Sequence, residues 1–128
     1  MMGEDRVEGE RVRAVRGAIC VERDTPKAIL DATERLLSQM LRRNDVEEAD
    51  VVSIFFTATE GLRSTFPAEA ARRMGLGRVP LLCATEIPVP GSLPRVVRVL
   101  MHLYTSRSRA GILHVYLDGA ESLRDDLD

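Results

Sequence analysis

The residues of this sequence that could do chemistry are arginines and one glutamate beside apolar segments: Arg16, Arg72, Glu86, Arg98 and Arg124. Arg98 interrupts the apolar run 96–101, and Glu86 ends the predicted strand 79–86. A charge among apolar neighbours is costly unless it has a partner, so a plain surface role is least convincing for these two residues. A guanidinium offers a planar fork that holds a carboxylate through two hydrogen bonds. The set therefore predicts a site for a small carboxylate ligand.

The usual signatures of metal, nucleotide and covalent catalysis are absent from the sequence. It contains no G-x-S-x-G, H-E-x-x-H, phosphate-binding loop or G-x-G-x-x-G motif. Cys20 and Cys83 follow no C-x-x-C spacing, and His102 and His114 each stand alone in an apolar stretch. We therefore expect no metal site, no disulfide framework, no cofactor and no covalent intermediate.

The composition predicts one domain with a modest core. The chain has 128 residues, of which 45% are hydrophobic and 30% charged. Its net charge of -2 and its few aromatic residues disfavour nucleic-acid binding. Of its 18 basic residues only Lys27 is a lysine, a bias that codon usage explains as readily as ligand binding. With no signal-peptide pattern in residues 1–12 and no apolar run of membrane-spanning length, we expect a cytoplasmic protein without a membrane partner.

The element that the sequence predicts most clearly is a helix over Pro26–Arg43. Thr25 can cap its first turn, Pro26 suits its first position, and Asn44 can end it. Its apolar residues recur at helical spacing and form one stripe: Ile29, Ala32, Leu36, Leu37, Met40 and Leu41. Such a stripe requires a partner layer, so we expect this helix to pack against a sheet.

The sheet is predicted from five segments, and a short second helix from Pro67 and the residues after it. The strand candidates are 13–22, 51–58, 79–86, 94–105 and 112–120, the fourth of which also fits a helix. Gly17 in the first strand predicts a bulge or a close backbone approach. One long helix can cover only one face of such a sheet, yet 51–56 and 79–83 are apolar on both faces. The other face therefore needs another copy of the chain.

The sequence resembles the monofunctional, trimeric α/β class of chorismate mutases in five segments. These are RAVRGAICVERDT, STFPAEAAR, VPLLCATEIPV, VVRVL and HVYLDGAESLRDDL, in matching order and spacing along residues 13–127. The all-helical chorismate mutases lack such strands. The resemblance implies an α+β fold with a mixed five-stranded sheet, one long helix and one short helix. It also implies a homotrimer that forms a pseudo-α/β-barrel, with cofactor-free active sites at the subunit interfaces. We expect a flexible extension over residues 1–12 and a single chorismate mutase domain over residues 13–128.

The resemblance also implies a role for each site residue. Arg98 would hydrogen-bond the ether oxygen of chorismate, and Glu86, together with Cys83, would meet its ring hydroxyl. Arg16 and Tyr116 would each contact a carboxylate. The remaining predicted contacts line or close the pocket: Phe66, Ala68, Arg72, Leu81, Leu82, Leu123 and Arg124. The implied reaction is the [3,3] rearrangement of chorismate to prephenate in aromatic amino-acid biosynthesis.

Three departures from the family pattern affect this transfer of roles. Glu69 stands where the family often has a lysine, Leu82 where it often has a hydroxyl residue, and the turn MGLGR is short. None of them changes Arg16, Glu86 or Arg98. The alternative is a trimeric small-metabolite-binding or deaminase-like protein of similar architecture, because a fold alone does not determine function.

Overall fold

A computed structural model describes residues 9–127 of the chain. Its regular elements are β1 (Arg11–Cys20), α1 (Pro26–Arg43), β2 (Val51–Ala58), α2 (Ala68–Arg73), β3 (Leu81–Thr85), β4 (Val96–Thr105) and β5 (Val115–Leu117). Short 3-10 segments cover Glu48–Asp50, Arg109–Gly111 and Ala120–Leu127. The predicted α+β class, with five strands, one long helix and one short helix, is confirmed. Most of the predicted extension lies outside the described residues, and β1 begins at Arg11, two residues earlier than predicted.

The five strands form one mixed sheet in the order β3-β2-β4-β1-β5. The central strand β4 pairs antiparallel with both β1 and β2, while the edge strands β3 and β5 run parallel to β2 and β1. The segment 94–105, which also fitted a helix, is therefore the strand at the middle of the sheet. Its alternating burial is the strand period of two.

The helix α1 has the predicted boundaries, and its ends show why. The hydroxyl of Thr25 accepts a hydrogen bond from the Ala28 amide at 3.1 Å, and Pro26 takes the first helical position. At the other end the Asn44 side chain donates to the carbonyl of Met40 at 2.8 Å. Both caps satisfy backbone groups that a helix end leaves without partners.

Both helices pack on one face of the sheet, which we call the helix face. Its core contains fully buried side chains from every central element, including Val15, Leu36, Ile54, Phe56, Met101 and Leu103. Gly17 is needed where α1 crosses β1, because a Cβ there would lie 2.5 Å from the Met40 sulfur. The predicted close approach is thus the role of this glycine.

The opposite face, which we call the open face, is covered by neither α1 nor α2. Its large apolar side chains are exposed: Leu100 by 37%, Phe55 by 40% and Leu82 by 58%. The C-terminal 3-10 segment covers only one end of this face, where Ala120 packs with Ala18 and Val96 in a small second cluster. The uncovered sheet face that the sequence predicts is therefore present.

Two smaller features complete the fold. The Thr59 hydroxyl accepts a hydrogen bond from the Val96 amide at 3.0 Å, and α2 begins only after Pro67. Within residues 9–127, neither helix combines the length and apolar character that crossing a membrane would require.

Candidate active site

Arg98 and Glu86 form an ion pair on the open face. Arg98 follows the alternation of β4, so its neighbours Val97 and Val99 enter the helix-face core while its own side chain points the other way. Its Nε lies 2.9 Å from Oε2 of Glu86. The glutamate side chain is 18% exposed and the arginine side chain 47%. Arg98 needs a partner for its charge in this apolar strand. That partner is Glu86, the other charged residue that stands out in the sequence.

The position of Glu86 follows from strand pairing. Thr85 pairs with Ala58 in the parallel ladder, and the Glu86 amide continues it by donating to the Ala58 carbonyl at 2.9 Å. Thr57, one residue earlier on β2, donates its hydroxyl hydrogen to Oε2 of Glu86 at 2.7 Å. In the register, Thr57 also lies directly opposite Arg98. Three strands thus place an arginine, a carboxylate and a hydroxyl at one point.

A cavity of about 420 Å³ lies on the open face beside this group. Its lining includes the predicted site residues Arg98, Arg16, Tyr116 and Leu123, together with Phe55 and Thr57. Leu123 belongs to the C-terminal segment and packs near Ala18, so this segment forms a wall of the cavity. The two arginines and the phenol suit an anionic ligand, and the apolar side chains suit a carbon ring.

Arg16 is placed by its backbone as well as by its strand. Its amide donates to Nδ1 of His114 at 2.9 Å, just before the parallel pairing of Gly17 with Val115 begins. The imidazole thus takes the place of the next ladder acceptor between β1 and β5. His114 is a structural residue, as its isolation in an apolar stretch indicated.

The other predicted pocket residues lie elsewhere in the chain, near β3 and α2. Phe66 is 71% exposed, Ala68 is buried in the helix-face core, and Arg72 forms a 3.0 Å ion pair with Glu69 on its own helix. None of them lines the 420 Å³ cavity. Two strands, β2 and β4, separate β3 from β1, a distance of roughly 14 Å at the usual strand spacing.

The strand β3 presents its predicted residues on both faces of the sheet. Leu82 pairs with Phe55 and shares the open face, whereas Leu81 and Cys83 pack against the helix-face core. Neighbouring side chains on a strand point to opposite faces. Leu82 is thus the one of these three whose side chain faces the same side of the sheet as Arg98.

The tail and the loop before β4 border the site. Arg124 follows Leu123 in the C-terminal segment and is exposed. Glu86 lines a separate cavity of about 700 Å³, formed mainly by the loop of residues 87–95 and by residues 22–24 and 59–61. It does not line the 420 Å³ cavity itself, but it contacts Arg98 and Thr57, which do.

The cysteines and potential metal ligands suggest no other chemistry in the part of the chain that the structure describes. Burial raises the pKa of the Cys20 thiol, and the nearby carboxylates of Glu121 and Asp118 raise it further. A thiol with a raised pKa is a weak nucleophile. Across residues 9–127, no three His, Cys, Asp or Glu side chains come together as a metal site would require.

The sequence missed Thr57. It fell inside the apolar run 51–58, which the sequence predicts to be buried on both faces. Side chains alternate along a strand, so Thr57 and Phe55 share one face of β2. Only the pairing register of β2 with β4 shows that this face also carries Arg98 and Glu86. A hydroxyl in an apolar strand was the available signal.

Fold and site together define an α+β protein whose sheet carries, on the face that α1 and α2 leave uncovered, a cavity suited to a small anionic ligand. Residues 12–127 match the family model described as chorismate mutase type I. Chorismate mutase AroH of Thermus thermophilus is 53% identical over 118 residues, which cover 91% of this chain and 97% of that protein. The Bacillus subtilis enzyme of the same name is 40% identical over 117 residues, 91% and 92% of the two chains.

A solved structure agrees with these sequence relatives. The chorismate mutase from Clostridium thermocellum superposes with a TM-score of 0.85 and 45% identity, over 86% of this chain and 98% of that one. The chain belongs to the chorismate mutase type I family. Its activity is the isomerisation of chorismate to prephenate, a step of aromatic amino-acid biosynthesis. The resemblance seen in the sequence is confirmed, and the metabolite-binding or deaminase-like alternative is not supported.

Proposed function

We propose that this chorismate mutase works as a homotrimer whose active sites lie between neighbouring chains, with Arg98 as the residue that stabilises the transition state. The observation that carries the proposal is the Arg98–Glu86 pair beside the open-face cavity. One chain supplies the floor of the site, and a neighbour supplies the residues near β3 and α2.

The reaction requires positioning and charge more than proton transfer. In the [3,3] rearrangement a C–O bond breaks while a C–C bond forms within one molecule, and no proton has to move. Chorismate is a flexible dianion, and only a compact conformer brings its two ends together. Arg16 and Tyr116, at the cavity wall, would hold its carboxylates in that conformer, so that binding supplies the ordering that solution does not.

Arg98 acts on the charge that develops during the reaction. As the ether bond stretches, negative charge builds on its oxygen, and a fixed cation there stabilises the transition state more than the ground state. The ion pair uses Nε of Arg98. The two terminal guanidinium nitrogens have no partner among the described residues, so they are available to the ether oxygen.

Glu86 has two roles in the same arrangement. Its Oε2 holds the Arg98 side chain, and its Oε1 accepts no hydrogen bond from the part of the chain that is described. That free oxygen is the acceptor for the ring hydroxyl of chorismate. The carboxylate also offsets part of the positive charge that Arg16 and Arg98 bring to the cavity.

The argument for a shared site rests on the positions of the two residue groups. Arg16, Arg98 and Tyr116 surround the cavity, while Phe66 and Leu82 are exposed at or near the β3 edge of the sheet. Exposed apolar side chains along a whole sheet face favour association of copies. A closed ring of three chains would bring the β3 edge of one chain to the cavity of the next. The cytoplasmic location stays a prediction from the sequence.

Mixing two inactive variants tests the shared site. Arg98→Ala removes the catalytic cation, and Phe66→Asp places a carboxylate where the dianionic substrate would bind. After the two variants are unfolded together and refolded, random assembly should make about a quarter of the interfaces intact and restore about a quarter of the activity. Each variant refolded alone should stay inactive.

The control is a chain that carries both substitutions, mixed with the Arg98→Ala chain, which should recover nothing. If the mixture of the two single variants recovers no activity although native mass spectrometry shows mixed trimers, then both residue groups act within one chain and the interface model fails.

A further inference from the structure

We propose that Thr57 is a positioning residue for the catalytic pair: its hydroxyl fixes the Glu86 carboxylate so that Arg98 and the free carboxylate oxygen both face the substrate. This inference rests on the proposed roles of Arg98 and Glu86. Thr57 itself acts through Glu86, and no covalent step involves it.

Thr57 and Arg98 contact the same oxygen of the Glu86 carboxylate. Thr57 Oγ1 and Arg98 Nε lie 2.7 Å and 2.9 Å from the same oxygen, Oε2 of Glu86. With either contact alone, the carboxylate could rotate about its last bond and exchange its two oxygens. The Thr57 hydrogen bond and the Arg98 ion pair come from two strands and together hold Oε2 in place, which leaves Oε1 directed away from them.

The donor must be a hydroxyl on a strand at this position. Thr57 pairs directly with Arg98, and the next residue, Ala58, receives the backbone hydrogen bond of Glu86. Glu86 is therefore fixed to β2 twice, once through its amide and once through its side chain. A threonine also suits the strand, because its branched Cβ restricts the side chain to few rotamers.

The chemical consequence concerns the rate more than substrate binding. If Oε2 is released, the guanidinium loses the orientation that places its terminal nitrogens at the ether oxygen. The carboxylate contacts of Arg16 and Tyr116 do not depend on Thr57. Loss of the hydroxyl should thus lower kcat about tenfold and change KM less than about threefold, because the lost interaction is one that matters mainly in the transition state.

The test compares three substitutions at this position under steady-state conditions with chorismate. Thr57→Val keeps the shape and removes the hydroxyl, Thr57→Ala removes it with less bulk, and Thr57→Ser restores it. We expect about a tenfold loss of kcat for valine and alanine and less than about a threefold loss for serine. The matched control is Thr33→Val on α1, which removes a buried hydroxyl that donates to the Ile29 carbonyl at 2.7 Å, far from the site. It should reduce stability without changing kcat.

A double-mutant cycle distinguishes positioning from a general effect on the fold. In a Glu86→Ala background, Thr57→Val should lower kcat less than about twofold further, because the group that it positions is gone. A tenfold loss that persists in that background, or full activity of both Thr57→Val and Thr57→Ala, would overturn the inference. Arg98→Ala is measured in parallel. If Arg98→Ala is also fully active, the proposed function has failed. If Arg98→Ala is inactive while Thr57→Val is active, only the role of Thr57 is contradicted.

Discussion

The two faces of the sheet are made by the same strands, but α1 and α2 cover only one of them. On the helix face, Ile54, Phe56 and Met101 are at most 1% exposed under α1 and α2. On the open face, Phe55 and Leu100 are 40% and 37% exposed although they are neighbours of those core residues in the sequence. The charged pair Arg98–Glu86 is found only on the second face.

The helix face determines the stability of the fold, and the open face carries the residues proposed for activity. The strand period of two lets one strand send Val97 and Val99 into the core and Arg98 towards a ligand without a break in its pairing. Substitutions on the helix face should therefore change folding, and substitutions on the open face should change assembly and catalysis. The following predictions test that division, beginning with the largest effect.

A charge at Leu82 should prevent assembly. Its side chain is 58% exposed in the single chain, so Leu82→Glu should leave the fold of that chain unchanged. If another copy covers this position, burying an unpaired carboxylate costs several kcal/mol, and the dissociation constant should rise at least about a hundredfold. Analytical ultracentrifugation measures this change, with circular dichroism to check the fold. Lys27→Glu, on the exposed surface of α1, is the control and should keep the assembly; an unchanged mass for Leu82→Glu would contradict the prediction.

Truncation in the helix-face core should reduce stability and leave catalysis intact. Leu36 is fully buried between α1 and the sheet, and a buried Leu→Ala change typically costs about 2–5 kcal/mol. Leu36→Ala should lower the free energy of unfolding by that amount while the folded enzyme keeps its kcat. Denaturant titration at fixed protein concentration measures it, because stability depends on concentration in any protein that assembles. A large loss of kcat in fully folded Leu36→Ala would show that the two faces are coupled.

A smaller loss of stability is expected at Gly17. The added Cβ would lie 2.5 Å from the Met40 sulfur, and overpacking of this kind costs about 1–3 kcal/mol. Gly17→Ala combined with Met40→Ala should lose less stability than the sum of the two single changes, because the shorter side chain removes the clash. Strict additivity in thermal unfolding would mean that the close approach is not what requires glycine.

The smallest effect concerns acid stability at Asp24. Hydrogen bonds to its carboxylate, first from the Arg63 amide and then from Ser64, lower its pKa below the ordinary 3.8. A group whose pKa is lower in the folded state stabilises the fold above its unfolded value, and this contribution is lost as the pH falls through the folded value. Asp24→Asn should therefore reduce the drop in Tm between pH 6 and pH 3 slightly. An acid-induced drop in Tm as large as that of the wild type would show that Asp24 does not contribute.

The sequence predicts the elements of this molecule better than their pairing. The limits of α1 follow from local signals, namely Thr25, Pro26 and an apolar stripe with helical spacing, and these hold in the structure. The sequence does not decide whether the segment 94–105 is a helix or a strand. Its strand conformation depends on pairing with β1 on one side and β2 on the other, and these contacts are distant in sequence.

The site shows the same limit. Arg98 and Glu86 stand out in the sequence because their neighbours are apolar, but Thr57 joins them only through register, which depends on contacts distant in sequence. Under the proposed shared site, the residues near β3 meet the cavity only through another copy of the chain, which reasoning from a single chain does not reach. Family resemblance supplied those roles, and they stay predictions.

The measurement that tests the central claim most directly is the rate of chorismate consumption by Arg98→Ala, followed by the loss of its ultraviolet absorbance. We predict that kcat falls at least about 10²–10³-fold, as for other preorganised donors, while the Tm and the assembly state stay those of the wild type. Arg98→Lys should recover little, because an ammonium cannot both pair with Glu86 and reach the ether oxygen. A folded, assembled Arg98→Ala enzyme with kcat within about threefold of the wild type would contradict the account.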